Sequence, residues 1–381
     1  MENMGLDSIE YDQSRTFNLK WQPGFFGNEI IEEDLNYITQ KLEQRYLFSG
    51  CRFLITGGGG FIGYYLVLAL LHINRSGTPI KHITVLDRFP KGIPTWLERL
   101  QAVGEPVTAV VFDVTTDSFS DYISETDYIF HMASIASPSF YRKYPLRTLE
   151  ANVFGLQRLL HSCLSHQPKG ILYFSSSEIY GNPDPGHIPT SEQYNGNVAT
   201  IGPRACYDES KRMGETICSL YHQEHQLPVR IVRPFNNYGP GLELSDQRVA
   251  ADFAKAIIEK RAIDILSDGT PTRTYCYIAD AIVGYFKVIT HSEFDVFNIG
   301  ADCQEISVFR LAQLFAECSR ELTGYFPALT YQESADPHYL THNPQRRCPS
   351  IEKARQILRF NPEIGLEQGI RRYLISCGVG R

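Results

Sequence analysis

The spacing of apolar residues changes character near residue 50. Beyond it, short apolar runs that read as buried strands alternate with longer stretches of helical periodicity. The pattern predicts strands over residues 52–56, 83–87, 108–112, 128–132, 171–175 and 229–233. It predicts helices over 61–72, over 148–164 with an apolar stripe, and a long one over 207–223. Strands joined through helices of this length make right-handed βαβ units, so the expected fold is α/β, a doubly wound parallel sheet.

After residue 236 the alternation loosens, and loops rich in Pro, Gly and Asp separate short elements. Residues 236–381 are expected to form mainly a smaller α/β substrate lobe, with residues 280–290 returning to the main sheet. The first 50 residues stand apart as an acidic, aromatic segment in which 30–47 carry apolar positions at roughly helical spacing. They are expected to be an accessory arm or helix packed on the body or on a second subunit. The expected division is therefore 1–50, 51–235 and 236–381, with no internal repeat or low-complexity segment.

Composition narrows the class. A chain of 381 residues with 43% hydrophobic and 21% charged residues is ordinary for a globular protein of two lobes. A net charge of -7 argues against a nucleic-acid surface, which needs clustered Lys and Arg. The longest nearly uninterrupted apolar run, 64–71, is too short to span a bilayer, and the N-terminus lacks the pattern of a signal peptide. Nine scattered cysteines without a C-x-x-C pair fit reduced thiols and a cytoplasmic location. Eleven scattered histidines show no ligand spacing, so no metal is expected.

Candidate chemistry starts where the first strand ends. Thr56-Gly57-Gly58-Gly59-Gly60-Phe61-Ile62-Gly63 places Gly57, Gly60 and Gly63 at G-x-x-G-x-x-G spacing in a strand-turn-helix context. The glycines give a tight turn, close backbone approach to phosphates and close helix-strand packing. The helix start offers N–H groups to a pyrophosphate. Asp87, about 24 residues past the last glycine, suits both ribose hydroxyls and would repel a 2′-phosphate, favouring NAD. Arg88 beside it tempers that preference, since it could bind such a phosphate. Asp113-Val114 after the third strand would suit the adenine edge, or Asp113 simply caps the strand.

A second constellation lies about 150 residues on. Tyr207 and Lys211 are one helical turn apart, so the ammonium and a positive nicotinamide ring would stabilise the phenolate. Ser176, in the cluster Ser175-Ser176-Ser177-Glu178, would hydrogen-bond the same substrate oxygen. A redox cofactor beside a polarised alcohol implies hydride chemistry at a carbinol carbon.

On these motifs the chain resembles the extended short-chain dehydrogenases/reductases that act on nucleotide sugars, with a Rossmann-type sheet. The resemblance runs from about residue 51 to 375 and includes His131-Met132-Ala133-Ser134 and Arg233-Pro234-Phe235-Asn236-Asn237-Tyr238-Gly239-Pro240. Residues 131–138, 175–181, 202–212 and 343–349 look most like UDP-glucuronate decarboxylases. The resemblance implies that Ser176, Glu178, Tyr207 and Lys211 are catalytic. It implies that Gly57, Gly60, Phe61, Ile62, Gly63, Asp87, Asp113, Val114 and Ala133 hold NAD together with Tyr207 and Lys211. Ser177, Arg204, Asn236, Arg248, Arg273 and Arg346 are implied to hold the nucleotide sugar, and a homodimer is expected through a bundle of helices 148–164 and 207–223.

Within that group the pair Ser177-Glu178 decides. Dehydratases keep Asp-Glu there, the Asp protonating a leaving hydroxyl; a departing carboxylate needs no such acid. Glu178 is alternatively a structural carboxylate capping the next turn. Arg204 and Arg273 would each meet either the substrate carboxylate or a phosphate, and the diphosphate is favoured for Arg273. Three positions depart from the decarboxylases resembled: Gly241 replaces Arg, Ile135 replaces Pro, and Ser210 replaces Gly. The expected activity is decarboxylation of UDP-glucuronate with re-reduction to UDP-xylose. A 4-epimerase or 4,6-dehydratase is the nearest alternative, and a catalytically silent NAD-binding or assembly protein the alternative of another class.

Overall fold

The computed structural model describes residues 28–380, so residues 1–27 of the expected arm lie outside the described residues. Seven strands form one parallel sheet: β1 Arg52–Thr56, β2 His82–Asp87, β3 Val107–Val111, β4 Tyr128–His131, β5 Gly170–Phe174, β6 Val229–Pro234 and β7 Val296–Ile299. Their order is β7-β6-β5-β4-β1-β2-β3. The order reverses between β1 and β4, the switch point at which open parallel sheets bind ligands.

Alternation along each strand feeds two cores. Phe53, Ile55, Val85, Phe130 and Leu172 point to one face; Leu54, Leu86, Ile129 and Ile171 point to the other. The first face is covered by helices α1 Glu29–Lys41, α2 Phe61–Arg75, α4 Ile278–Ile289 and α5 Leu366–Ser376; helix α3 Ala205–His225 lies on the second. Helix α2 is apolar on nearly every side because the sheet, α1 and α4 surround it.

The N-terminal helix packs on the body. Ile31, Leu35 and Ile38 enter the core, each worth about 2 kcal/mol of burial. Its buried Asp34 accepts 2.8 Å hydrogen bonds from the Tyr65 and Tyr277 hydroxyls and pairs with Arg372 at 2.7 Å. Those contacts tie α1 to α2 and α5.

Two expected elements differ. The helix over 148–164 is broken into Pro145–Glu150, a π-helical turn Ala151–Gly155 and Leu156–Ser162. The segment expected to return to the main sheet at 280–290 does so as helix α4, packed against β5, β6 and β7, and not as one of its strands. The strand that returns is β7. After β6, short pairings carry the rest of the chain, including a sheet in which Thr272–Arg273 lies between Ile306–Ser307 and Arg346–Arg347.

Candidate active site

Of the three spaced glycines in the turn, packing dictates two and leaves the third free. Gly57 has φ +71°, and a Cβ there would stand 2.7 Å from the Ala133 backbone. A Cβ on Gly63 would stand 2.3 Å from the Gly58 carbonyl oxygen. At Gly60 the nearest atom would be the Gly57 oxygen at 3.7 Å, so protein packing does not require this glycine. Gly60 is also the N-cap of α2 and gives it no side-chain cap, leaving the first N–H groups to a ligand.

Asp87, at the end of β2, stands over this turn: its carboxylate accepts from the Gly59 and Phe89 N–H groups, each at 3.0 Å. Arg88 is drawn to Asp113 at 3.2 Å. Asp113 also accepts from Thr115 N–H and hydroxyl, the local capping arrangement, and Val114 is buried against Gly155. Next to Ala133, the buried Ser134 hydroxyl has no protein partner among the described residues. An uncapped helix start, an open glycine, an acidic ribose acceptor and an orphaned hydroxyl together fit NAD.

The expected proton-transfer pair lies on α3. Tyr207 and Lys211 are both buried, with Lys211 Nζ 5.8 Å from the Tyr207 ring centre. Lys211 donates to the Phe174 carbonyl at 2.7 Å, and burial pulls its ammonium down to about 7. Burial pushes the Tyr207 phenol up to about 12; the Ser176 hydroxyl and, further off, Arg248 act the other way. The expected lowering of the phenol is therefore not met in the protein alone, where desolvation prevails. Tyr141 stacks on Tyr207 with ring centres 5.0 Å apart.

The departure at Ser210 has a structural reason. Its hydroxyl accepts from Asn152 at 2.8 Å and donates to the Tyr207 carbonyl at 3.0 Å, linking the π-helical turn to the tyrosine. Gly241 also has one: φ is +86° and a Cβ would lie 2.7 Å from the Tyr64 ring, so an arginine cannot stand there without displacement.

Glu178 sits in the 3₁₀ turn Ser177–Tyr180 after β5, whose start is capped by the Ser176 hydroxyl accepting from Glu178 N–H at 3.2 Å. Its carboxylate pairs with Arg204, at the start of α3, and with Arg347, which also reaches it through Nη2 at 2.8 Å. Burial opposes the charge, but the two guanidiniums, Arg204 ahead of Arg347, outweigh it and hold Glu178 well below the usual carboxylate range. About a fifth of the Glu178 side chain stays accessible, whereas Arg204 and Arg347 are buried. The capping alternative is thus partly met by Ser176, and Glu178 itself faces charge.

Of the other expected substrate residues, Ser177 is buried in the same turn. Asn236 turns the chain at φ +35° and donates to the Thr274 carbonyl. Arg248 pairs with Asp246 and lies over the Phe61 ring at the start of α2. Arg273 spends its donors on the Thr272, Pro344 and Gln345 carbonyls and on Asn343, and burial, then Arg347, brings it down to about 10.

Arg346 requires a correction. It pairs with Glu305 at 2.6 Å with nearly half its side chain exposed, while the neighbouring Arg347 meets Glu178. Adjacent residues of a strand face opposite ways: Arg347 stands across from Arg273, and Arg346 across from Thr272, which also bonds Glu305. Alternation says only that the two arginines face opposite ways, not which of them turns inward. Asp208 and Tyr141, also unforeseen, carry no motif of their own.

The model of the NAD dependent epimerase/dehydratase family matches residues 53–300. The chain is 33% identical to UDP-glucuronic acid decarboxylase 6 of Arabidopsis thaliana over 327 residues, 86% of this chain and 88% of that protein. It is 32% identical to UDP-glucuronic acid decarboxylase 1 of Xenopus tropicalis over 327 residues, 84% and 70% of the two chains. A solved UDP-glucuronic acid 4-epimerase from Bacillus cereus, in complex with UDP-glucuronic acid and NAD, shares the fold at TM-score 0.71 and 22% identity, covering 86% and 99% of the two chains. With its glycine turn, its Tyr207/Lys211 pair and a match over most of its length, the chain belongs to the NAD dependent epimerase/dehydratase family.

Proposed function

We propose that this protein decarboxylates UDP-glucuronate, returning UDP-xylose. The observation that carries the proposal is the charge at Glu178: Arg204 and Arg347 pair with it, Arg273 adds its charge from further off, and the residue before it is Ser177, with no acid to expel a hydroxyl. Arg204 and Arg347 beside Glu178 place positive charge where a sugar that brings its own carboxylate would gain from it. The relatives that carry the decarboxylase name support the same substrate.

Bound NAD would supply a hydride acceptor, later a hydride donor, and a positive charge near the phenol. Tyr207, bridged to the substrate oxygen with Ser176, takes the 4-hydroxyl proton as the C4–H bond breaks. With C4 a ketone, the C5 carboxylate is β to a carbonyl. The C5–C6 bond breaks, CO2 leaves, and its electron pair becomes an enolate that Tyr207, now protonated, stabilises by donating to the oxygen. A proton from solvent, guided by the ionised Glu178, returns to C5; as a hydride then returns to C4, Tyr207 gives its proton to the C4 oxygen and UDP-xylose results. Gly57, Gly60, Gly63 and Asp87 hold the cofactor, while Arg248 and Arg273 take the diphosphate.

On the same reading, residues 51–235 form the cofactor lobe and most of 236–381 the sugar lobe. A homodimer is supported by the exposed Leu146, Leu149, Phe154, Met213 and Leu220 on the helices of 145–162 and on α3. The nine free thiols support a reducing, cytoplasmic location, and among the described residues no helix is long and apolar enough to cross a membrane. Purified protein incubated with UDP-glucuronate is expected to release CO2 and form UDP-xylose. A 4-epimer, or a 4-keto-6-deoxy sugar from UDP-glucose, without CO2 would overturn the proposal.

A further inference from the structure

Asp208 has no part in the chemistry above, yet it is buried beside it, one residue after Tyr207 and one turn after Arg204. Its Oδ2 lies 3.5 Å from Arg204 Nε, and its Oδ1 has no hydrogen-bond partner among the described residues. Charged and titratable groups face it from each neighbouring element: Arg204, Cys206 and Tyr207 on its own helix, Tyr141 from the helix Pro138–Lys143, Glu178 from the turn after β5, and Arg347 from the strand Arg346–Arg347. The charges alternate along a chain of Asp208, Arg204, Glu178 and Arg347.

We propose that Asp208 is a positioning residue for Glu178, acting through Arg204: the two carboxylates compete for one guanidinium, and the charge on Asp208 sets how firmly Glu178 is held. The inference rests on Glu178 being the group that handles the C5 proton. A carboxylate gripped by two arginines is a weak base. An ionised Asp208 draws Arg204 away and makes Glu178 more basic; a neutral Asp208 leaves Arg204 to Glu178 alone. Burial first, and then the Glu178 charge, push Asp208 up to about 7. Below that pH Asp208 is neutral and Glu178 tightly held, so turnover rises as pH rises through about 7.

The holoenzyme and its Asp208→Asn variant, whose amide mimics the neutral acid, are compared from pH 6 to 8 with UDP-glucuronate. The expected result is a kcat within about two-fold at pH 6, a kcat about ten-fold lower in the variant at pH 8, and KM within two-fold throughout. Infrared difference spectra between pH 6 and 8, taken without substrate on the wild type and on Asp208→Asn, are expected to show a carboxylic acid band lost on raising the pH that the variant lacks, over the signal both share from Asp34 and Asp252, which burial pushes up to about 6. A variant with the wild-type pH profile, a uniform loss at all pH values, or no titrating acid band that the variant lacks overturns the role of Asp208. Absence of CO2 from the wild type while the acid band titrates sinks the decarboxylase reading instead.

Discussion

At the cofactor end of the cleft, a methyl group added to Gly57 or Gly63 meets backbone at 2.7 or 2.3 Å. At the sugar end, Glu178 is met by guanidiniums from residues 26 and 169 positions further along the chain. The first end is shaped by short-range backbone sterics within one strand-turn-helix unit. The second is shaped by electrostatics among side chains that only the finished fold brings together. Sterics tolerate no intermediate state, whereas a charge cluster can redistribute, so the two ends should respond to mutation in different currencies.

A large effect is expected at the charge end. Glu178→Gln should lower turnover of UDP-glucuronate by about 10²-fold or more, the scale of a lost acid–base group. Bound NAD, measured after denaturation, should stay within two-fold of wild type. If NAD is lost in proportion to activity, the ends are not independent and the comparison breaks.

Next come the glycines. Gly63→Ala forces Cβ against the Gly58 carbonyl and should destabilise the fold by about 1–3 kcal/mol, read as a lower unfolding midpoint. Gly60→Ala meets nothing closer than 3.7 Å, so the midpoint should hold while NAD binds roughly 10-fold more weakly. Equal destabilisation by both would show that packing, not the ligand, explains Gly60.

The same contrast decides what the sequence could disclose. Gly57, Gly60, Gly63 and Asp87 were legible because one local unit carries them, and six strands of the sheet were legible from apolar periodicity. Tyr207 and Lys211 were legible because helical spacing puts them on one face. The break at Ala151–Gly155 was not, since a π turn keeps the apolar stripe while adding a residue to the turn. Nor was Arg347, because a two-residue strand gives no periodicity to say which of two adjacent arginines turns inward. Asp208 was illegible for another reason: its carboxylate is informative only through its burial between Arg204 and Tyr141.

Lys211 belongs to both ends, and its titration separates function from stability. Burial holds its ammonium at about 7, below the ordinary 10.5. Between those values the unfolded chain binds the extra proton, so this residue makes stability rise with pH across that window and costs most at and below pH 7. Lys211→Met should abolish turnover yet raise the unfolding midpoint, by more at pH 6 than at pH 9. A midpoint difference that does not change with pH would mean that the lysine is hydrated in the fold.

The smallest effect is the most pointed test of side-chain direction. Arg346 and Arg347 are consecutive, equally charged and equally long, and differ only in which face of a short strand they occupy. Arg346 pairs with Glu305 where nearly half its side chain meets solvent, so screening and side-chain entropy leave the pair under about 1 kcal/mol. Arg347 is buried against Glu178, and its removal leaves a carboxylate with one guanidinium fewer in a poorly solvated site. Arg346→Ala is therefore expected to leave kcat and KM for UDP-glucuronate within two-fold, while Arg347→Ala lowers kcat by at least ten-fold. Were the order reversed, the strand would be turned over in the working enzyme, and the charge chain from Asp208 through Glu178 would have to end on a different arginine.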